Sequence, residues 1–407
     1  MKPLCEGPGA AGQILSEQYA RAVQTLRNCA HPAGLNASAC GSGHQQVWAR
    51  DSMISLLGGA LVADRTVQSA LEASMETLER HQAPSGCIPS NVDPVTGRPN
   101  FRAYADSGLW FVIGSSILSP RLDAVRRVLR WYECQDVDQS GLISMQEASD
   151  WQDLFCTRGK GLYVNCLYVL ALQKAAAMAH SAGDEAVAAA RLEQSRKVSQ
   201  KIHRLFWYAP DGGMRRHIEH SFSTDNIEHD SLGRRRWIPT RRVLPDEQYY
   251  LPYLGFREVG EWFDSLGNLL AILSGVAGED ETARILDLMD RYNIAGEPVK
   301  AIYPAVQPGE PDWRDYYGSL NLPHHYHNGG IWPFIGGFYV AALVKAGRLL
   351  QAEAALERLA HLNAAGDFNE WHHGQTVQPM GVAGQAWSAG MYLFACECVR
   401  RRSVPLL

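Results

Sequence analysis

Helical periodicity recurs almost from end to end of this chain, and it comes in two kinds that take turns. Stretches such as "LLGGALVA", "NLLAILSGVAG" and "WPFIGGFYVAALV" are rich in small residues and apolar on every side, the pattern of a helix enclosed by protein. Between them lie charged, amphipathic stretches such as "ARLEQSRKVSQKIHRL" and "ETARILDLMDRY", which have one face for a core and one for water. Strand-like alternation is scarce. Buried and surface helices that alternate along a chain are what an all-α toroid of inner and outer helices requires. No Gly/Ser/Pro linker divides the pattern, so residues 1–407 read as one domain, with the long irregular region at about 210–253 as an insertion or lid.

Aromatic and polar residues gather where the apolar helices begin: "HQQVWARDSM", "FRAYADSGLWF", "EASDWQDLF", "GEWFDSLGN", "YHNGGIWPF" and "FNEWHHGQ" with "GQAWSAG". At one end of a helical barrel these clusters form a single funnel lined by Trp, Asp, Glu, His and Asn. A pyranose suits such a lining, because its C–H faces lie on indoles and its hydroxyls meet carboxylates and amides.

Glycoside hydrolysis needs one carboxyl to protonate the leaving oxygen and a second to attack or to activate water. The funnel limits the candidates to Asp51, Asp106, Asp150, Asp153, Asp264 and Glu370. Asp153 follows Trp151 and precedes the apolar helix "GLYVNCLYVLAL", a setting that desolvates a carboxyl and raises its pKa, as a general acid requires. A plain helix-capping role is the alternative for it. Glu370 sits in a polar, turn-like stretch where a base can meet water, or where an acid is simply solvated.

The bulk properties exclude other classes. A net charge of −5, with 46% apolar and 20% charged residues, gives no reason to expect nucleic acid or an anionic membrane. Nine cysteines without CxxC spacing argue for reduced thiols rather than a disulfide framework or zinc. The N-terminal residues lack an apolar signal-peptide core, no apolar run looks long enough to span a bilayer, and a cytoplasmic setting is the expectation.

"WARD", "DSGLW", "SLGNLLAIL", "YHNGGIWP" and "NEW…GQAWSAG" occur in the order seen in glycoside hydrolases with an (α/α)6 barrel. The chain resembles the alkaline/neutral invertase family most, and the processing α-glucosidase, glucosylglycerate hydrolase, trehalase and amylo-1,6-glucosidase groups more distantly. The resemblance runs from about residue 45 to 395. It implies catalysis by inversion, with Asp153 as general acid and Glu370 as general base. It also implies a glucose site formed by Trp48, Arg50, Asp51, Asp106, Trp110, Asn328, Trp332, Gln385 and Trp387, with Trp151 as part of its wall. Glu147 and Asp150 are read as supporting or capping groups. No cofactor and no metal are implied. The expected partner is a small saccharide or glucoside, with no nucleic acid and no membrane, and with a homo-oligomer left open. In invertases the residues after the acid are basic, whereas here Leu154, Phe155 and Cys156 follow it, and His372 and His373 follow Glu370. Both departures fall on the leaving-group side, so the resemblance supports an inner glucosyl unit better than it supports fructose beside it.

Three further motifs compete. "DVDQSGLISMQE", residues 136–147, has the spacing of a calcium loop, although the funnel needs this segment to deliver Asp153. His324, His325, His327, His372 and His373 raise the alternative of a sugar 2-epimerase on the same barrel, but lack metal-site spacing. "GRRRWIPTRR" is a basic patch that is either a solvated face or an anchor for an acidic substrate. A carbohydrate-binding protein without catalysis is the remaining alternative, and it has no need of two carboxylates.

Overall fold

The structure, a computed structural model, describes residues 10–39, 44–208, 243–255 and 258–407. Twelve α-helices are present among these: α1 (Ala10–Cys29), α2 (Ala49–Gly59), α3 (Arg65–Arg80), α4 (Ser107–Ile117), α5 (Leu122–Glu133), α6 (Leu162–Ser181), α7 (Glu185–Phe206), α8 (Ser265–Ser274), α9 (Glu279–Arg291), α10 (Pro333–Lys345), α11 (Leu349–Gly366) and α12 (Ala386–Arg401). The even-numbered helices form a closed inner ring, each packed on the next and α12 on α2. The odd-numbered helices cover it as an outer layer. The fold is therefore the (α/α)6 barrel that the alternation predicts.

Composition explains which helix goes where. Every residue of α2 and of α8 is buried, and so is nearly all of α4, α10 and α12, whereas α3, α5 and α9 bury one face only. α6 is long and apolar enough to cross a membrane by length and composition, contrary to the reading above, but it is a barrel stave enclosed by its neighbours. Small residues set the spacing of the ring. A Cβ on Gly58 of α2 would lie 1.9 Å from the Gly390 carbonyl oxygen of α12, so the two backbones touch.

Residues 209–242, which include the "GRRRWIPTRR" patch, lie outside the described residues. Tyr249, Tyr250 and Leu251, however, are fully buried, and Tyr253–Gly255 pairs antiparallel with Lys160–Gly161 just ahead of α6. Residues 243–253 thus belong to the barrel, because their aromatic rings complete its core.

Candidate active site

The two helix layers begin differently. Outer helices α3 and α7 start at Asp64 and Asp184, whose carboxylates accept from the amides of Val67 and Val187 in the ordinary capping manner. Inner helices start at Trp48, Asp106, Gly161, Asp264, Trp332 and Gln385, none with a side-chain cap. Five of these six have extended backbone, supplied by short pairings that end where the helix begins, such as Val47–Trp48 with Asn91–Val92 and Phe263–Asp264 with Ile302–Tyr303. Side chains at these starts meet one another: Arg50 reaches Asp106, Asp106 reaches Tyr163, and Trp332 meets Trp387. The positive ends of the inner-helix dipoles surround one mouth and favour the carboxylates gathered there.

Glu370 comes to that mouth on a strained turn. α11 ends in Asp367 and Phe368, both at φ 55°, in the left-handed region that non-glycine residues rarely occupy. The fully buried Phe368 ring anchors this turn, and Trp371–His372 then pairs with Pro379–Met380 in a hairpin. Glu370 is 6% exposed, not the solvated loop acid that its polar surroundings allow. Its Oε1 accepts from the Tyr326 hydroxyl at 3.2 Å, and its Oε2 from the Val382 amide at 3.3 Å. Gly381, at φ 69°, gives the carboxylate room: a Cβ there would lie 2.5 Å from Oε2.

Asp153 lies in the loop between α5 and α6, eight residues before the Gly161 that begins α6, so the capping alternative fails. The loop is well braced. Asp153's carbonyl accepts from Arg102 at 2.6 Å, Leu154's from Asn321 at 2.7 Å, and the Cys156 amide donates to the Tyr317 hydroxyl at 2.9 Å. Arg158 pairs with Glu258 at 2.6 Å and with Asp312 at 3.4 Å, and its guanidinium lies over the Tyr253 ring. Glu147 is bound by Arg314 at 2.9 Å and by the Tyr316 hydroxyl at 2.8 Å, which makes it a brace for the same loop. The calcium-loop spacing is therefore used otherwise: its twelfth residue points to Arg314, and its third, Asp138, holds the Lys160 ammonium at 2.8 Å. Among the described residues no group of three or more His, Cys, Asp or Glu is arranged to hold a metal.

Burial and charge couple the acids. Desolvation pushes both Asp153 and Glu370 up; Arg50 and Arg102 draw Asp153 back, while His44, the Val382 amide and Tyr326 draw Glu370 back. The Asp153 charge adds to the upward push on Glu370, so the two carboxyls share one electrostatic environment. Burial also raises Asp51 to about 6 and Asp264 to about 7. Arg50 is the hub. It donates to Asp106 and to the Asp150 carbonyl, both at 3.3 Å, and its guanidinium lies 5.8 Å from the centroids of both Trp48 and Trp387. Asp106, Asp51 and Asp153 hold it charged against its burial.

The expected sugar-site residues divide into two groups. Buried polar atoms without a hydrogen-bond partner among the described residues include Nε1 of Trp48, Trp151 and Trp387, Nε of Arg50, Oδ2 of Asp51, Oδ1 of Asp106 and Nε2 of Gln385. Buried groups of this kind are normally satisfied, so this concentration of them makes the mouth the candidate site for a polar ligand. The Trp332 indole donates to the Tyr326 carbonyl at 3.0 Å while its ring stacks on His327, 5.3 Å away at 16°. Trp110 and Asn328 form the second group, whose polar atoms have protein partners. Trp110 is fully buried and its indole donates to Tyr163 at 2.8 Å, which in turn donates to Asp106 at 2.9 Å. Asn328's amide is used entirely on backbone, accepting from the Val306 amide and donating to the Val306 and Asn321 carbonyls. In both, the polar atoms are engaged within the wall.

Sequence reasoning missed Tyr326, Tyr163, His44, Arg102 and Trp371. Tyr326 stood inside the quoted "YHNGGIWPF", yet only its backbone at φ 41° brings its hydroxyl to Glu370. The histidine pair after Glu370 serves its hairpin: His372 Nδ1 is 3.1 Å from the Val377 carbonyl, and His373 Nδ1 accepts from the amides of Gln375 and Thr376. His327 joins the aromatic lining, against Trp151, Tyr326 and Trp332, and His325 lies 5.8 Å from the Trp371 ring.

Known proteins share this architecture. Solved (α/α)6-barrel structures include a mannosylglycerate hydrolase from Thermus thermophilus in complex with glucose, which aligns over 92% of this chain and 99% of its own with a TM-score of 0.63 at 13% identity. A bacterial glucoamylase complexed with acarbose aligns over 95% of this chain and 56% of its own, at a TM-score of 0.61 and 18% identity. These likenesses concern the fold. In sequence, neutral/alkaline invertase 1, mitochondrial, of Oryza sativa subsp. japonica is 27% identical over 72% of this chain and 50% of its own length. Probable alkaline/neutral invertase D of Arabidopsis thaliana is 25% identical over 86% of this chain and 74% of its own. The chain spans about half the length of several of the curated relatives it matches. The profile of one family, described as alkaline and neutral invertase, matches residues 140–401, which contain both Asp153 and Glu370. The chain belongs to the alkaline and neutral invertase family of glycoside hydrolases.

Proposed function

We propose that the protein is an exo-acting, inverting glycoside hydrolase that releases glucose from a short α-glucoside, with Asp153 as general acid and Glu370 as general base. The observation that carries this reading is the pair itself: two desolvated carboxyls, electrostatically coupled, at a mouth lined by indoles and by buried donors and acceptors that lack hydrogen-bond partners among the described residues. Glu370 takes a proton from water, the water oxygen attacks the anomeric carbon, and the Asp153 proton goes to the departing glycosidic oxygen. Trp48, Arg50, Asp51, Gln385 and Trp387 hold the glucosyl ring, and Trp151 and Trp332 wall it. Asp106 acts behind them by fixing Arg50. Sucrose is the substrate that family membership favours; the apolar run Leu154–Cys156 after the acid keeps other small leaving groups open. A cytoplasmic setting is in keeping with relatives named as cytosolic, although others are named as mitochondrial or chloroplastic.

The test is glucose release from sucrose, trehalose, maltose, isomaltose, kojibiose and glucosylglycerate by the parent and by Asp153→Asn. Turnover of one substrate, lost by roughly a hundredfold or more in the variant, is the expected result. An Asp153→Asn protein within a few-fold of the parent would remove Asp153 from the acid role. Silence across the series would turn attention to epimerisation or to sugar binding without catalysis.

A further inference from the structure

We propose that Tyr326 decides where the proton of the catalytic pair resides: its hydroxyl holds Glu370 ionised and so leaves the proton on Asp153. This rests on the assignment of acid and base above. Burial alone cannot make that distinction, since it raises both carboxyls. Hydrogen bonds can, because a donor favours the ionised form of the carboxyl it meets. Glu370 receives one on each oxygen, from Tyr326 at 3.2 Å and from the Val382 amide at 3.3 Å. Asp153 has its own backbone amide at its carboxyl but no side-chain donor there among the described residues; Arg102 donates instead to its backbone carbonyl.

The charges nearby do not overturn this. His44, Asp51, Asp153 and Tyr326 face Glu370, while Arg50, Arg102, His44 and Glu370 face Asp153. Arg50 is already paired with Asp106 and Asp51, and Arg102 is exposed, so its field is screened by solvent. His327, against the Tyr326 ring, is kept neutral by its burial.

Tyr326 is built for the task. Its ring is held among His327, Trp332 and Trp371, with centroids 4.1, 4.9 and 5.8 Å away. Its carbonyl accepts from the Trp332 indole and the Gly330 amide, both at 3.0 Å. These contacts hold a left-handed backbone at φ 41° that a non-glycine residue does not adopt unaided. A phenylalanine would fill the same space, so packing does not account for the hydroxyl. Burial, with the Glu370 and Asp153 charges, keeps the phenol protonated throughout the working range, so it donates and does not itself give up its proton. During the reaction the water proton passes to Glu370 and the Asp153 proton to the leaving group. Exchange with solvent then restores the starting pair, with Tyr326 unchanged.

Tyr326→Phe tests the proposal with α-D-glucosyl fluoride, whose fluoride leaves with little help from an acid and so isolates the base. The acidic limb of kcat/KM is expected to move up by about one pH unit, the size of one charge-assisted hydrogen bond. Activity then falls roughly tenfold below the limb and returns towards the parent value above it. In a second variant, 3-fluorotyrosine in place of Tyr326 keeps the ring and strengthens the donor, and moves the limb down. A drop that is equal at all pH values, or a limb unmoved in both variants, overturns the proposal. Controls separate its failure from that of the assignment. Glu370→Gln is expected to lose glucosyl fluoride hydrolysis, and Asp153→Asn to retain far more of it than of glucoside hydrolysis. If Glu370→Gln remains active, the base assignment itself is wrong.

Discussion

Asp264 illustrates what a single buried carboxyl costs this fold. It begins α8, keeps Oδ1 without a hydrogen-bond partner among the described residues, and burial raises its pKa to about 7. A folded-state value above the unfolded one means that folding binds a proton, so stability is fullest below the unfolded value and is lost as pH rises towards 7. A shift of about three pH units corresponds to a penalty on the order of 4 kcal/mol at alkaline pH. Asp264→Asn keeps a good helix start and removes the ionisation. At pH 8 it is expected to melt several degrees above the parent, with the gap closing as pH falls towards 4. Thermal unfolding in matched buffers reads this, and a gap independent of pH would contradict it. At this scale the sequence identifies residue types well and their duties poorly. Trp110 and Asn328 stand in the right motifs, but Tyr163 takes the indole of one and backbone at residues 306 and 321 takes the amide of the other. Those partners lie 7 to 53 residues away in the chain, and no local pattern announces them.

Elements were the most legible scale, because the distinction between an apolar helix and an amphipathic one follows directly from where each must lie. What remained hidden were segments whose fold depends on contacts between distant loops. Residues 243–253 read as insertion because "EQYYLPY" lacks helical periodicity, yet its tyrosines fill the barrel core. The turn that carries Glu370 depends on left-handed Asp367 and Phe368, which no glycine in the sequence signals. Glycine does signal the tightest helix contact, where α2 meets α12. Gly58→Ala forces the new Cβ against the Gly390 carbonyl and is expected to destabilise by about 3 kcal/mol or more, as overpacking of a close backbone contact does. Gly97→Ala, in an exposed hairpin at φ 67° with open space around it, carries only the conformational cost of about 1 kcal/mol. Chemical denaturation compares the two, and equal losses would contradict the packing account.

For the whole molecule, a ring of six inner helices turns six short sequence clusters into one mouth, which is why scattered Trp, Asp and Glu residues could be read together. Loops from three regions of the chain then deliver the chemistry: 146–159 carries Asp153, 321–330 carries Tyr326 and 367–382 carries Glu370. The barrel gives these loops a rigid base, and the ion pairs of Arg158 and Arg314 tie the acid loop to its neighbours. A single displacement by water, with Asp153 opposite Glu370, is the claim on which the functional account turns. Proton NMR of the glucose first formed from α-D-glucosyl fluoride, recorded before mutarotation mixes the anomers, tests it most directly. The account predicts the β-anomer at the earliest times; glucose appearing first as the α-anomer would contradict it and make Glu370 a nucleophile in place of a base.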